Sequence, residues 1–203
     1  MSDQAREERH LHRLILFSDA VFAIAITLLA IEIHPPEEWH GGIGEFFGLM
    51  GHKLTAYAVS FAVIGVYWIA HRRSFGRLLR ADGVLDVLNL LMLGLLGLLP
   101  LGTVLLWEKP SGSSTLLYIA LVAAIGVAHA IGWAYAAFIG RLVDPAIRLP
   151  ARLYVLFSSG VLPGLICALL LVSLAGGAVW GYFVAAALLI GSNAIQRRLT
   201  KTA

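Results

Sequence analysis

The stretch from Arg13 to Ile33 reads RLILFSDAVFAIAITLLAIEI. It is an apolar run long enough to cross a bilayer, yet Ser18 and Asp19 stand inside it. A carboxylate at the centre of a spanning helix costs about 2.5 kcal/mol or more, so it faces a bundle interior or a water-filled path. At about 100° per residue the run divides into two faces. Ile24, Thr27, Leu28 and Ile31 share one face with Phe17 and Ala20, and Asp19, Phe22, Ile26, Leu29 and Ile33 share the other. The spacing predicts a helix whose carboxylate turns toward neighbouring helices while branched side chains and one hydroxyl line the opposite side. The plainer alternative is a buried structural helix with one satisfied Asp.

Working outward, the 203 residues are 59% hydrophobic and 13% charged; soluble domains carry about 25% charged residues. A mean hydropathy of +0.84 places the chain among integral membrane proteins. Six apolar segments, near 14–33, 54–70, 84–106, 116–139, 154–174 and 178–195, have the length of spanning helices. The expectation is an all-α integral membrane protein, a single six-span domain over residues 1–203. Arg6, Arg9, Arg13, Arg72, Arg73, Arg77, Arg80, Arg141, Arg148, Arg152, Arg197, Arg198 and Lys201 fall on one side, and only Lys53 and Lys109 on the other. That asymmetry predicts a multi-pass protein of the cell membrane with both termini cytoplasmic. The basic residues sit at helix ends, so the net charge of +3 does not point to nucleic acid. The N-terminal run is too long for a signal peptide and lacks a small-residue cleavage site, so it reads as a retained first span. Cys167, the one cysteine, excludes an intrachain disulfide.

The first outer connection, residues 34–53, carries Trp39, Phe46 and Phe47 and is expected to lie at the headgroups. Glu32, Glu37 and Glu38 make that mouth acidic, which would enrich cations locally or be ordinary solvated charge. The second span ends in Tyr67, Trp68 and His71, and the third carries Asp86, Asn89 and Pro100. Asp86 needs a partner from Arg80 or another helix, and Pro100 should kink or end its helix. Ser18, Asp19, His71, Asn89, Ser158 and Asn193 fall at similar depth, a polar layer in which a buried Asp19 finds partners. His129 reads as a hydrogen-bonded packing residue. Gly160-x-x-x-Gly164 and Gly177-x-x-x-Gly181 permit close helix approach.

Three blocks carry a resemblance: R-x-x-x-F-S-D-A-V-F-A-I-A-I-T-L-L over Arg13–Leu29, Y-W-x-x-H at Tyr67–His71, and Asn89 with the L-P-x-x-T end at Leu99–Thr103. Together they resemble the endolysosomal potassium channel family and its bacterial homologues, the transmembrane protein 175 family. Arg72 departs from the second histidine often found there, which weakens any proton sensing by a histidine pair. The resemblance implies a homotetramer whose pore is lined by the first helix of each subunit, conducting potassium with modest preference over sodium. Ile24, Thr27, Leu28 and Ile31 would line and gate it, with apolar rings at Ile24 and Ile31. Arg13, Ser18, Asp19, Trp68, His71 and Asn89 would form a structural polar network.

No enzyme signature, metal-ligand cluster or phosphate loop appears, and Gly181-Tyr182-Phe183 is not the T-V-G-Y-G filter of ordinary potassium channels. No cofactor is expected beyond the permeant ion, and no partner beyond the bilayer and further copies of the chain. The alternative is a proton-coupled secondary transporter using Asp19 and His71 as a relay, and a third reading is a non-conducting scaffold.

Overall fold

Lipid satisfies no backbone N–H or C=O, so apolar runs of this length close their hydrogen bonds within a helix. The computed structural model describes residues 3–176 and 180–201, with some side chains near both ends outside that description. Its helices are α1 (Asp3–Ile31), α2 (Ile43–Phe75), α3 (Gly83–Gly97), α4 (Leu99–Glu108), α5 (Gly112–Ala134), α6 (Leu149–Gly176) and α7 (Trp180–Lys201). A π-helical turn, Tyr135–Ile139, prolongs α5. Among the described residues, five segments are long and apolar enough to cross a membrane: Ala5–Ile31, Ile43–Phe75, Gly83–Glu108, Gly112–Ile139 and Leu149–Cys167. α7 stands where the sequence predicts a sixth span; residues 178 and 179, where that expectation begins, lie outside the described residues.

Two boundaries around the first outer connection differ from expectation. α1 stops at Ile31, so Glu32 and Ile33 belong to the connection. α2 begins at Ile43, and Phe46 and Phe47 form its first turns. Trp39 folds back on them: its ring meets Phe46 at 5.6 Å and its Nε1–H donates to the Gly42 carbonyl at 2.9 Å.

The third expected span is α3 and α4 joined at Leu98. Pro100 has no N–H for the carbonyl four residues back. The backbone tightens there, with the Leu98 N–H on the Leu95 carbonyl at 3.1 Å.

The core has two large apolar clusters and a small third one, Leu162 and Ile166 of α6. One joins Phe22, Ala25 and Leu29 of α1 to Val63 and Tyr67 of α2, Met92 and Leu96 of α3, and Tyr118 and Ile125 of α5. The other, at the basic end, joins Leu14, Phe75, Leu85, Trp133 and Val155. α1, α2, α3, α5 and α6 each pass from one large cluster to the other through a buried polar residue: Ser18, His71, Asn89, His129 and Ser159. α5 and α6 approach closely through Gly126 and Gly160; a Cβ on Gly126 would stand 2.5 Å from the Gly160 carbonyl oxygen. Gly164, the other half of the expected small-residue motif, has open space instead. In α7, a Cβ on Gly181 would collide with the Ser173 hydroxyl; Gly177 lies outside the described residues.

Candidate pore helix and its polar anchor

Hydrogen bonds fix one face of α1 to its neighbours. The Ser18 hydroxyl is buried and donates to the Leu14 carbonyl at 2.8 Å. Its oxygen accepts from Asn89 Nδ2 at 2.9 Å. Asn89 Oδ1 meets His71 Nε2 at 2.9 Å. An amide oxygen only accepts, so His71 carries its proton on Nε2. One turn of each of α1, α2 and α3 is thereby tied together. Beside this chain, Asp19 Oδ1 accepts from Trp68 Nε1 at 2.9 Å. The Arg72 guanidinium lies 5.0 Å over the Trp68 ring, near enough for a cation–π contact. The position that departs from the family's histidine thus supports the residue that holds Asp19.

The network extends beyond the residues that the sequence singles out. The Ser74 hydroxyl donates to the His71 carbonyl at 2.9 Å and lies 2.9 Å from His129 Nε2. With its single proton given to the carbonyl, Ser74 accepts from His129 Nε2–H. His129 Nδ1 is then the one buried side-chain polar atom without a hydrogen-bond partner among the described residues. A cavity of about 20 Å³, with room for one water, is bounded there by His71, Ser74, Asn89 and His129. His129 packs as expected and also links α5 to the layer.

A second polar cluster joins α2, α4 and α5. Thr103 donates to Ser60 at 2.7 Å, Ser60 pairs with the Tyr118 hydroxyl at 2.8 Å, and Tyr67 donates to the Val122 carbonyl at 2.6 Å. Tyr67 and Thr103 stand in the Y-W-x-x-H and L-P-x-x-T blocks, and Ser60 is a hydroxyl within an apolar stretch of α2.

Arg13 departs from the predicted network. It is exposed and lies with Arg6, Arg9 and His10 around an open cavity of about 400 Å³. A long cationic side chain at the basic end of the bundle reaches outward for water rather than inward to a carboxylate. Asp86 finds its partner on another helix: His10 Nε2 lies 2.8 Å from Asp86 Oδ2. Arg80 pairs instead with Glu7 at 3.6 Å. Glu32, Glu37 and Glu38 are all exposed on the connection between α1 and α2. Glu45, not singled out from the sequence, holds His40 there at 3.1 Å. The Ser158 hydroxyl turns back on its own helix, to the Val155 carbonyl at 3.2 Å; the Asn193 side chain lies outside the described residues.

The other face of α1 is uncovered. Ile24, Leu28 and Ile31 are 57%, 39% and 64% exposed. Thr27 is exposed between them, its hydroxyl donating to the Ile24 carbonyl at 2.9 Å. Phe22 and Leu29, on the anchored face, are 1% exposed.

Comparison with known proteins agrees with this architecture. The family model described as endosomal/lysosomal potassium channel TMEM175 matches residues 13–100, the segment holding α1, the anchor and Pro100. A potassium channel of Streptomyces collinus is 36% identical over 145 residues, 68% of this chain and 70% of its own. The mouse endosomal/lysosomal proton channel TMEM175 is 35% identical over 98 residues, 44% of this chain but 20% of its own. Among solved structures, the crystal structure of a lysosomal potassium-selective channel TMEM175 homologue from Chamaesiphon minutus superposes with a TM-score of 0.68 at 29% identity, covering 90% of this chain and 98% of the other. The match extends through α1, the anchoring helices and most of the bundle, and the family so identified is one of channels, not enzymes: the chain belongs to the TMEM175 potassium channel family.

Proposed function

We propose that this chain forms a homotetrameric potassium channel whose pore is lined by the uncovered face of α1. It would be a single six-span domain of the cell membrane with both termini cytoplasmic. The observation that carries the reading is the contrast along α1: Ile24, Thr27, Leu28 and Ile31 are exposed, while the opposite face is bonded to α2 and α3. One helix cannot enclose a pore, so copies of α1 must surround a common axis, and closed symmetry supplies that arrangement. Rings at Ile24 and Ile31, about 10 Å apart along the helix, hold the closed state by excluding water from the constriction. Thr27 adds a ring of hydroxyls between them, and Leu28 shares the lining. Potassium is the permeant ion, modestly preferred over sodium without a T-V-G-Y-G filter, and no cofactor takes part. Glu32, Glu37 and Glu38 raise the local cation concentration at the mouth.

A carrier built on an Asp19–His71 relay finds less support, because Asp19 is held by Trp68 and His71 by Asn89. Single-channel recording from purified protein in planar bilayers tests the proposal. Discrete steps, with a reversal potential that follows the potassium gradient more than the sodium gradient, are the expected result. Saturable gradient-coupled flux without steps would overturn it, and a reversal potential set by pH would assign the proton conduction named for the vertebrate relatives.

A further inference from the structure

The stripe of α1 that carries Ile24 and Ile31 continues past them toward the N-terminus. Arg13, Phe17, Ala20, Ile24, Thr27 and Ile31 follow one another at alternating steps of four and three residues. That is the 3.5-residue repeat of helices that keep one seam toward a common axis. The same steps, taken backwards from Arg13, reach His10 and Arg6. All eight positions are exposed. On a straight helix Arg13 stands about 20° from Ile24, and Arg6 stands in line with it.

The anchor that turns Ile24 outward also turns Arg13. Ser18, bonded to Asn89, and Leu14, packed in the basic-end cluster, hold this part of α1 against its neighbours. Arg13 is therefore fixed on the uncovered side, where it borders the open cavity of about 400 Å³ with Arg6, Arg9 and His10. From Arg6 to Ile31 the stripe carries no Asp or Glu. Of the carboxylates near this end, Glu7 meets Arg80 at 3.6 Å and Asp86 meets His10 at 2.8 Å. Arg13 is the charge on the stripe nearest the apolar rings, eleven residues from Ile24, or roughly 16 Å at the helical rise.

We propose that in the assembled channel Arg13 forms a ring of guanidinium groups at the cytoplasmic mouth of the pore, so that potassium enters less readily from the cytoplasm than from outside. The ring rests on the pore face proposed for α1. A charged ring in a narrow mouth concentrates ions of opposite sign, and by the same field depletes ions of its own sign. At about 0.1 M salt the field decays over about 10 Å, so the ring acts on entry from its own side and not on the distant Ile24 constriction. An ion arriving from the other mouth meets the ring last, already driven through the pore.

The test records single-channel amplitudes from the full chain in excised inside-out patches, at equal and opposite voltages in symmetric potassium. In about 0.1 M potassium, outward steps should be about half the size of inward steps. Arg13→Gln should make the two equal, and Arg13→Glu should reverse the asymmetry. Arg13→Lys, which keeps the charge, should preserve it. Arg148→Gln, which removes an exposed charge elsewhere at the basic end, should change nothing. Raising potassium to about 1 M, where the screening length falls to about 3 Å, should abolish the asymmetry in the unaltered chain; this reading stands even if a variant fails to assemble. Discrete steps whose asymmetry is absent, survives Arg13→Gln, or is lost equally with Arg148→Gln would overturn the ring and leave the channel standing. Asymmetry that persists in high salt would also overturn it. The absence of discrete steps altogether would remove the pore, and the ring with it.

Discussion

On α1, Phe22 and Leu29 are 1% exposed, whereas Ile24 and Ile31, two residues further along in each case, are 57% and 64% exposed. All four are large and apolar, so hydrophobicity does not tell the faces apart. In lipid it cannot, because tails are as apolar as side chains and apolar surface carries no direction. The polar residues supply the direction. Among the described residues, Ser18 and Asp19 find their partners on other helices in α3 and α2, and those bonds set the rotation of the helix. Ile24 and Ile31 then point away as a consequence. The anchored face therefore determines what the uncovered face can do.

The comparison breaks most directly by putting the same group on both faces. Leu29→Asn places an amide among buried apolar side chains and should cost about 2–4 kcal/mol, seen as loss of monodisperse protein on size exclusion. Ile24→Asn should leave the fold intact, wet the proposed ring and raise basal conductance several-fold. Equal conductance from the two variants at equal tetramer yield would show that the pore face is misassigned.

A smaller effect is expected from Asn89→Leu, which strands both Ser18 and His71. The melting temperature in detergent should fall by the equivalent of about 1–3 kcal/mol. An unchanged melting temperature would mean that the three-helix tie is dispensable. Smaller again is the coupling of Asp19 to Trp68. Asp19→Ala and Trp68→Phe, singly and together, should show a coupling of about 1 kcal/mol in a double-mutant cycle. Asp19→Asn should do less harm, since its amide oxygen still accepts from Trp68, and ion preference should be largely kept. Lost potassium preference with unchanged stability would place Asp19 on the ion path instead.

The smallest effect on stability belongs to Thr27→Val. Its hydroxyl bonds only its own helix, so stability should move by less than about 0.5 kcal/mol. Reversal potentials in mixed potassium and sodium should nevertheless shift. A silent variant would turn Thr27 toward lipid and sharpen the pore face to the isoleucines.

Much of this was legible in the chain itself. Periodicity divides α1 into its two faces, because a helix repeats every 3.6 residues wherever it sits. Apolar runs locate the helices, because lipid leaves the backbone no other way to satisfy itself. Pro100 marks the break near Leu98 for a covalent reason. A lone carboxylate at Asp19 announces that partners must exist, but the charge does not name them. Tertiary structure decided that Trp68 rather than His71 holds Asp19, that Ser74 brings His129 into the layer, and that Asp86 pairs with His10 from 76 residues away. It also turned Arg13 outward, and used Gly160 of the small-residue motif for the close approach to Gly126 while leaving Gly164 in open space. Spacing along one helix states which residues share a face. The rotation and depth at which two helices meet come from packing both at once, and only that determines which hydroxyl, amide or ring lies within bonding distance of another.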